Sequence, residues 1–371
     1  MRIEPFALER WQTEWEHRVD HNLSESGVHR MSVRELLLPG EADALLEHGL
    51  SYGVSNGSEA LRAAITAQYP GARPEQVLVT NGSAEANFIS AWRVVEPGDE
   101  VVMVLPNYMQ LHGLFQAFGA TIAPVHLREE DGWGLDLDRL RAVVGRKTRL
   151  IAVCNPNNPT GAVLDEGDMN GLVEAAARHG SWLLADEVYR GAEREGPETP
   201  TFWGRYDRVF ATCGLSKAYG LPGLRIGWVV SPREADALWA RKDYTSIFPG
   251  ILSDFLAQKA LAMRDRILER TRGILRANWP GLARWLERNR HVVTVVPSKA
   301  GAIVYARYTL GMGSTELIAR LREEESVLIV SGAHFGLDGF LRIGYGNEPA
   351  DLQAALARLT AFLERHSKTA G

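Results

Sequence analysis

Cysteine is nearly absent from this chain: Cys154 and Cys213 are its whole complement in 371 residues. Both fall in apolar, strand-like runs, so no disulfide framework is expected and a reducing, cytoplasmic setting fits. An excess of basic residues is also lacking. Lysine and arginine number 41 against 46 aspartates and glutamates, a formal net charge of −5, which argues against nucleic acid as a partner. There is no long apolar run. The uncharged stretch 101–127 is interrupted by Pro106, Asn107, Gln110, His112, Gly113 and Gln116, so it reads as strand, loop and helix and no membrane is expected. The first ten residues carry acids and have no apolar signal-peptide core. Solenoid-period repeats and low-complexity tracts are missing too, and no metal site is assigned.

What is present is an ordinary globular composition, 45% hydrophobic and 23% charged, long enough for about two domains. Strand-like runs near residues 77, 101, 121, 149, 182, 208 and 225 alternate with helical patterns, predicting a mostly parallel, doubly wound α/β sheet. Residues 6–18 have a helical spacing of Phe6, Leu8, Trp11 and Trp15. Residues 253–290 read as a long amphipathic helix with breaks near Pro280-Gly281. Strands near 291–296 and 302–308, with helices near 315–325 and 351–365, suggest a separate, smaller α/β unit.

The candidate chemistry centres on residues 212–228, Thr-Cys-Gly-Leu-Ser-Lys-Ala-Tyr-Gly-Leu-Pro-Gly-Leu-Arg-Ile-Gly-Trp. An apolar run delivers Lys217 into a Gly-rich bend, and bends at strand ends are where α/β proteins keep their sites. A lysine held away from bulk water is the type of amine that forms Schiff bases with carbonyl cofactors. Ser216 and Arg225 could hold a phosphate, the arginine through two parallel charged hydrogen bonds. Taken alone, a Ser-Lys pair of this kind reads better as an ordinary loop lysine beside a turn.

Other segments gain weight from that company. The run 77–80 ends in Asn81-Gly82-Ser83-Ala84 before a helix, a geometry whose free N–H groups favour an anion. Tyr108 follows the strand 100–105 and could lie flat on a heteroaromatic ring or be a plain core aromatic. Asn158 sits in the rigid turn Asn155-Pro-Asn-Asn-Pro-Thr-Gly161. Asp186 ends the run 182–185, where a buried carboxylate is costly unless a cation pairs with it; its alternative is a helix cap. Arg342 alternates with apolar residues in a strand and would face a cleft; its alternative is a surface-facing strand arginine.

These stretches, in this order from Tyr52 to Gly344, resemble the fold-type-I pyridoxal 5′-phosphate (PLP) enzymes, in particular the class I/II aminotransferases. The resemblance implies a large domain with a seven-stranded, mainly parallel sheet whose last strand is antiparallel. It also implies a smaller α/β domain combining both chain ends, with residues 1–45 as arm and part of that domain, 46–250 as the PLP-binding domain and 251–371 as the rest. Lys217 would hold PLP as a Schiff base, with Ser216, Arg225, Gly82, Ser83 and Ala84 around its phosphate. Tyr108 and Val188 would cover the ring, Asp186 would pair with its nitrogen, and Asn158 and Tyr189 would bond its phenolic oxygen. Tyr52, in the Tyr-Gly…Gly…Leu-Arg stretch, would reach the phosphate of a partner subunit, implying a homodimer with shared sites. Arg342, with Asn158 and Gly27, would bind the amino-acid substrate.

The implied activity is transfer of the α-amino group of an L-amino acid to a 2-oxo acid. PLP supplies the same chemistry to β-eliminating, decarboxylating, oxidative and cyclising enzymes, which are the alternative. Three places depart from the commonest family pattern. Ser24-Glu-Ser-Gly27 stands where Gly-x-Pro is usual, Gly214 replaces a hydroxyl residue three before the lysine, and Ser246-Ile-Phe-Pro249 is unusual. These departures are similar to divergent members of antibiotic biosynthesis. Glu25, His29, Tyr244, Phe248 and His334 are the candidates for the substrate side-chain pocket.

Overall fold

A computed structural model describes residues 2–367. Its centre is a seven-stranded sheet in the order Val77–Thr80, Gly227–Val230, Val209–Gly214, Trp182–Asp186, Thr148–Cys154, Glu100–Leu105, Thr121–His126. Gly227–Val230 runs antiparallel to both of its neighbours, and every other pair is parallel. Parallel strands are covered on both faces and so carry continuous apolar runs; Val209–Gly214 is buried at every residue. Helices such as Ser83–Val94 and Glu166–His179 connect the strands, as a doubly wound sheet requires.

A second sheet is wholly antiparallel, in the order Val330–Ser331, Phe340–Gly344, Ile303–Tyr308, Val293–Val295. Near the start of the chain, His21–Asn22 pairs in parallel with Val327–Leu328. The segment 23–27 thereby runs beside the second sheet. Among the described residues no helix is long and apolar enough to cross a membrane.

Two expectations are corrected. Pro280 does not break its helix: Arg264–Arg288 is continuous, and the interruption falls earlier, at Met263 after Ile251–Ala262. Buried Leu268, Leu275, Leu282 and Trp285, spread over about five turns, hold that helix against a residue that removes one hydrogen bond. The strand expected from Leu224 starts only at Gly227, because Pro222–Leu224 is a 3-10 turn and Arg225 adopts a left-handed conformation at φ 50°.

The loop 23–27 lies against the end of the Phe340–Gly344 strand at a distance that leaves no room for a side chain. A methyl group on Gly344 would stand 2.2 Å from the Glu25 carbonyl oxygen. Gly344→Ala should therefore displace the loop and destabilise the protein by about 1–3 kcal/mol. Gly273→Ala, in a helix with nothing within 4 Å of the new methyl, should stabilise by about 0.5–1 kcal/mol. Urea unfolding of both variants checks the pair of signs.

Candidate active site

The carboxyl ends of the sheet strands open onto a cavity of about 190 Å³, the crevice where α/β sheets bind ligands. Of the residues singled out from the sequence, Ser83, Ala84, Tyr108, Asn158, Asp186, Val188, Tyr189, Ser216, Lys217, Arg225 and Arg342 all line it. They come from seven separate stretches of chain, so the fold alone brings them together. Gly82 and Gly27 stand just behind the wall. A methyl on Gly82 would meet Arg225 Nη2 at 2.3 Å, and one on Gly27 would meet the Ser216 carbonyl oxygen at 3.5 Å and Lys217 Cδ at 3.9 Å.

One end of the cavity is built for an anion. Gly82, at φ +79°, turns the chain into the helix Ser83–Val94, whose first N–H groups are free of intrahelical partners. Arg225 packs on that glycine and donates from Nη1 to Ser216 Oγ at 3.4 Å and to the Pro222 carbonyl at 3.1 Å. Gly214 explains its own departure from the family pattern: a Cβ there would stand 3.0 Å from the Ile226 carbonyl oxygen and 3.5 Å from Ser83 N. The wall is closed by backbone at that point, with tight room for a hydroxyl side chain.

The middle of the cavity is flanked by Tyr108 and Val188, with Asp186 at its floor. Asp186 Oδ2 accepts from Asn87 Nδ2 at 2.8 Å and its Oδ1 from Val188 N at 3.1 Å. Asn87 Oδ1 in turn accepts from Thr212 Oγ1 at 2.6 Å, which orients the carboxamide. Burial raises the Asp186 carboxyl above its usual range, partly offset by the bonds from Asn87 and Val188. A buried carboxylate in this state favours a cationic partner. Burial also raises the Tyr189 phenol, keeping it a neutral donor; it gives its proton to Ser26 Oγ at 2.8 Å.

Lys217 and Arg342 occupy the far side. Lys217 Nζ lies 3.7 Å from Glu25 Oε2, and that ammonium, followed by Arg342, holds the Glu25 carboxyl below its ordinary value against the cost of burial. Arg342 is 2% exposed. Its Nη1 donates to Asn158 Oδ1 at 3.0 Å and its Nη2 to the Ser24 carbonyl at 2.6 Å, while Nε is buried without a partner.

Tyr52 stands apart. It is 86% exposed, with its ring edge-on to Phe248 at 5.1 Å, and does not line this chain's cavity. Of the five side-chain pocket candidates only Glu25 does. His29 pairs with Glu348 and Arg270, Tyr244 is exposed beside Trp92, Phe248 meets Tyr52, and His334 lines a neighbouring groove. The reading from sequence missed Leu8, Glu9 and Gln12, which close the cavity from the helix Ala7–Trp15. Tyr108 donates to Glu9 Oε1 at 2.7 Å and Gln12 Nε2 to the Ser24 carbonyl at 2.9 Å. Gln12 follows Leu8 by one turn on the buried face, a polar residue on an apolar stripe that was available as a signal. Asn87 carried the same signal within Ala86–Ser90.

Asn87→Ala should destabilise the cofactor-free protein by about 1–3 kcal/mol, leaving Asp186 and Thr212 short of a partner. The bond favours ionised Asp186, whose folded-state proton affinity burial has raised. As pH falls, the folded protein therefore protonates first and the bond counts for less, so the loss should be larger at pH 7 than at pH 4. Urea titrations at both values check it.

The family described as aminotransferase class I and II matches residues 41–359 of this chain. Capreomycidine synthase of Streptomyces vinaceus is 33% identical over 369 residues, covering 97% of this chain and 94% of that protein. Among solved structures, a PLP-dependent aminotransferase from Streptococcus suis 89-1591 superposes with a TM-score of 0.93 at 34% identity, covering 99% of both chains. The PLP-dependent cyclase OrfR superposes with a TM-score of 0.89 at 30% identity, covering 98% of both. The cavity fits the cofactor these relatives share: an anion cradle at one end, a buried carboxylate at the floor, an aromatic wall and a lysine amine. The chain belongs to the class I and II aminotransferase family and takes pyridoxal 5′-phosphate as its cofactor.

Proposed function

We propose that this enzyme acts at the α-carbon of an L-amino acid and transfers its α-amino group to a 2-oxo acid. The observation that carries the reading is the buried Arg342, which keeps an unpaired Nε–H in the cavity that holds Lys217. A guanidinium with donors to spare is suited to a carboxylate, and a carboxylate beside an amine-reactive centre describes an amino acid.

When bound, PLP supplies an electron sink for negative charge at the substrate's α-carbon. The phosphate end is assigned to Ser83, Ala84, Ser216 and Arg225, and Tyr108 and Val188 to the two ring faces. Asp186 would keep a proton on the ring nitrogen, and Asn158, together with Tyr189 once its hydroxyl turns from Ser26, would donate to the phenolic oxygen. Lys217 Nζ would take the proton from Cα and pass it to the cofactor carbon that receives the amino group. Arg342 fixes the carboxylate, so that the Cα–H bond faces Lys217. The helix Ala7–Trp15 excludes water from one side. Glu25 and Glu9 share this cavity; with Lys217 engaged by the cofactor, Glu25 lacks its cation. An amino acid with a positively charged side chain complements that field.

Leu46, Leu50, Tyr52 and Tyr244, each more than 80% exposed, supply an apolar surface suited to a second copy of the chain. Tyr52 is then assigned to the partner's cofactor phosphate. A cytoplasmic location suits the two free, buried cysteines.

A second reading is favoured by Glu25. A carboxylate 3.7 Å from Lys217, on the loop that departs from the family pattern, offers a second acid–base group for elimination or ring closure at the β-carbon. The similarity to a cyclase supports the same alternative.

The test is a half-reaction: holoenzyme with acidic, neutral and basic amino acids, no 2-oxo acid, and the cofactor absorbance followed. Conversion to pyridoxamine phosphate, reversed by a 2-oxo acid, is the expected result. A cofactor that remains PLP while ammonia or a cyclised product accumulates supports the second reading and rejects the first. Arg342→Gln should retain the cofactor band but raise the KM for the amino acid at least about 30-fold, roughly 2 kcal/mol of lost binding.

A further inference from the structure

Among the described residues Glu25 is the one carboxylate paired with Lys217, and it comes from a loop held by backbone packing. Its carbonyl oxygen lies against Gly344, and the Gly27 carbonyl would be 2.2 Å from a methyl on Gly346. The neighbouring Ser24 carbonyl takes bonds from Arg342 and Gln12. The loop is thus fixed at three points around Glu25, and the carboxylate is set 3.7 Å from Lys217 Nζ.

Other charges face the pair. Glu9 and Glu16 come from the N-terminal helix and the residue that ends it, Asp186 from the sheet, and Arg342 from the second sheet. Tyr108 is neutral and engaged with Glu9. Asn87 and Val188 hold Asp186, and Arg342 is shared by Asn158 and Ser24. Among the described residues Glu25 alone places a carboxylate oxygen within 4 Å of the lysine.

We infer that Glu25 is a positioning residue for Lys217, one that holds the lysine's ammonium form inside the cavity. The inference rests on Lys217 being the cofactor lysine, and it adds a carboxylate partner that steadies the lysine after it has taken up the α-proton. Atoms would balance as follows: one proton would leave Cα for Nζ, and the resulting ammonium would be paired with Glu25. The same proton would pass to the cofactor carbon that receives the amino group, leaving a 2-oxo acid, or to a departing group on the β-carbon. An ammonium paired with a carboxylate stays charged and in place in the cavity and gives up its proton less readily, so Glu25 bears on the proton-delivery step that both outcomes share.

The experiment labels Lys217 in cofactor-free protein with a trace of acetic anhydride at pH 8 and measures acetylation at each lysine by mass spectrometry. Only the uncharged amine reacts, so a lost carboxylate partner accelerates labelling. Glu25→Gln should raise the Lys217 rate roughly three- to tenfold, the lower part of the range for an opposite charge at this distance because both side chains are partly exposed. Glu25→Asp, which keeps the charge, should recover at least half of the difference, and the rate at Lys299, remote from the cavity, should not change. An unaltered Lys217 rate in Glu25→Gln overturns the inference. So does an equal acceleration in Glu25→Asp, which would mean that the loop had merely opened. No substrate enters the measurement, so it can fail while the amino-acid reading stands, and the reverse.

Discussion

A single buried guanidinium ties this site together. Arg342 belongs to the second sheet, bonds Asn158 in a turn at the end of a strand of the first, and bonds the Ser24 carbonyl of the N-terminal segment. Burial makes that charge expensive and lowers the arginine's hold on its proton, with Tyr189 and Glu25 acting the other way. An uncompensated buried charge is strongly destabilising. Hydrogen bonds to two different parts of the chain offset that cost, which forces those parts into register. The Arg342 Nε–H is buried without a partner.

The same logic of burial governs the opposite pole. Asp186 is held by Asn87, itself held by Thr212, so the carboxylate cannot turn away from the cavity to find water. The anion cradle works by close approach instead. Gly82 lets Arg225 lie on the turn that begins a helix, and the arginine's left-handed backbone aims it there. Such strain at a non-glycine residue is found where a surrounding structure over-determines it. The cavity therefore has a fixed polarity: anion donors at one end, a carboxylate at the floor, and a cation with spare donors at the other end.

Much of this was legible before any coordinates. Buried parallel strands write themselves as unbroken apolar runs, and the residues that follow them, Asp186, Asn158, Tyr108 and Lys217, occur where an α/β sheet keeps its chemistry. Ser216, Arg225 and the turn at Gly82 were readable as an anion site on their own chemistry, and family resemblance added the carboxylate role of Arg342 and the role of Tyr52. What escaped notice were supporting groups: Gln12 and Asn87 are polar residues on the buried faces of their helices, and Glu9 lies on the exposed side of the first. The side-chain pocket was harder still. His29, Phe248 and His334 looked as eligible as Glu25, and only the packing of the 23–27 loop on Gly344 separates them. The helix 264–288 teaches a different point, since burial along its length outweighs a proline's local preference.

The account depends first on Lys217 being the residue that carries the cofactor. Reducing the PLP-treated protein with borohydride and mapping the pyridoxyl group by mass spectrometry tests that directly. The prediction is one pyridoxyl group per chain, on Lys217, and none there in Lys217→Ala. A modification confined to another lysine, or a fully folded protein that takes up none, would contradict the account at its centre.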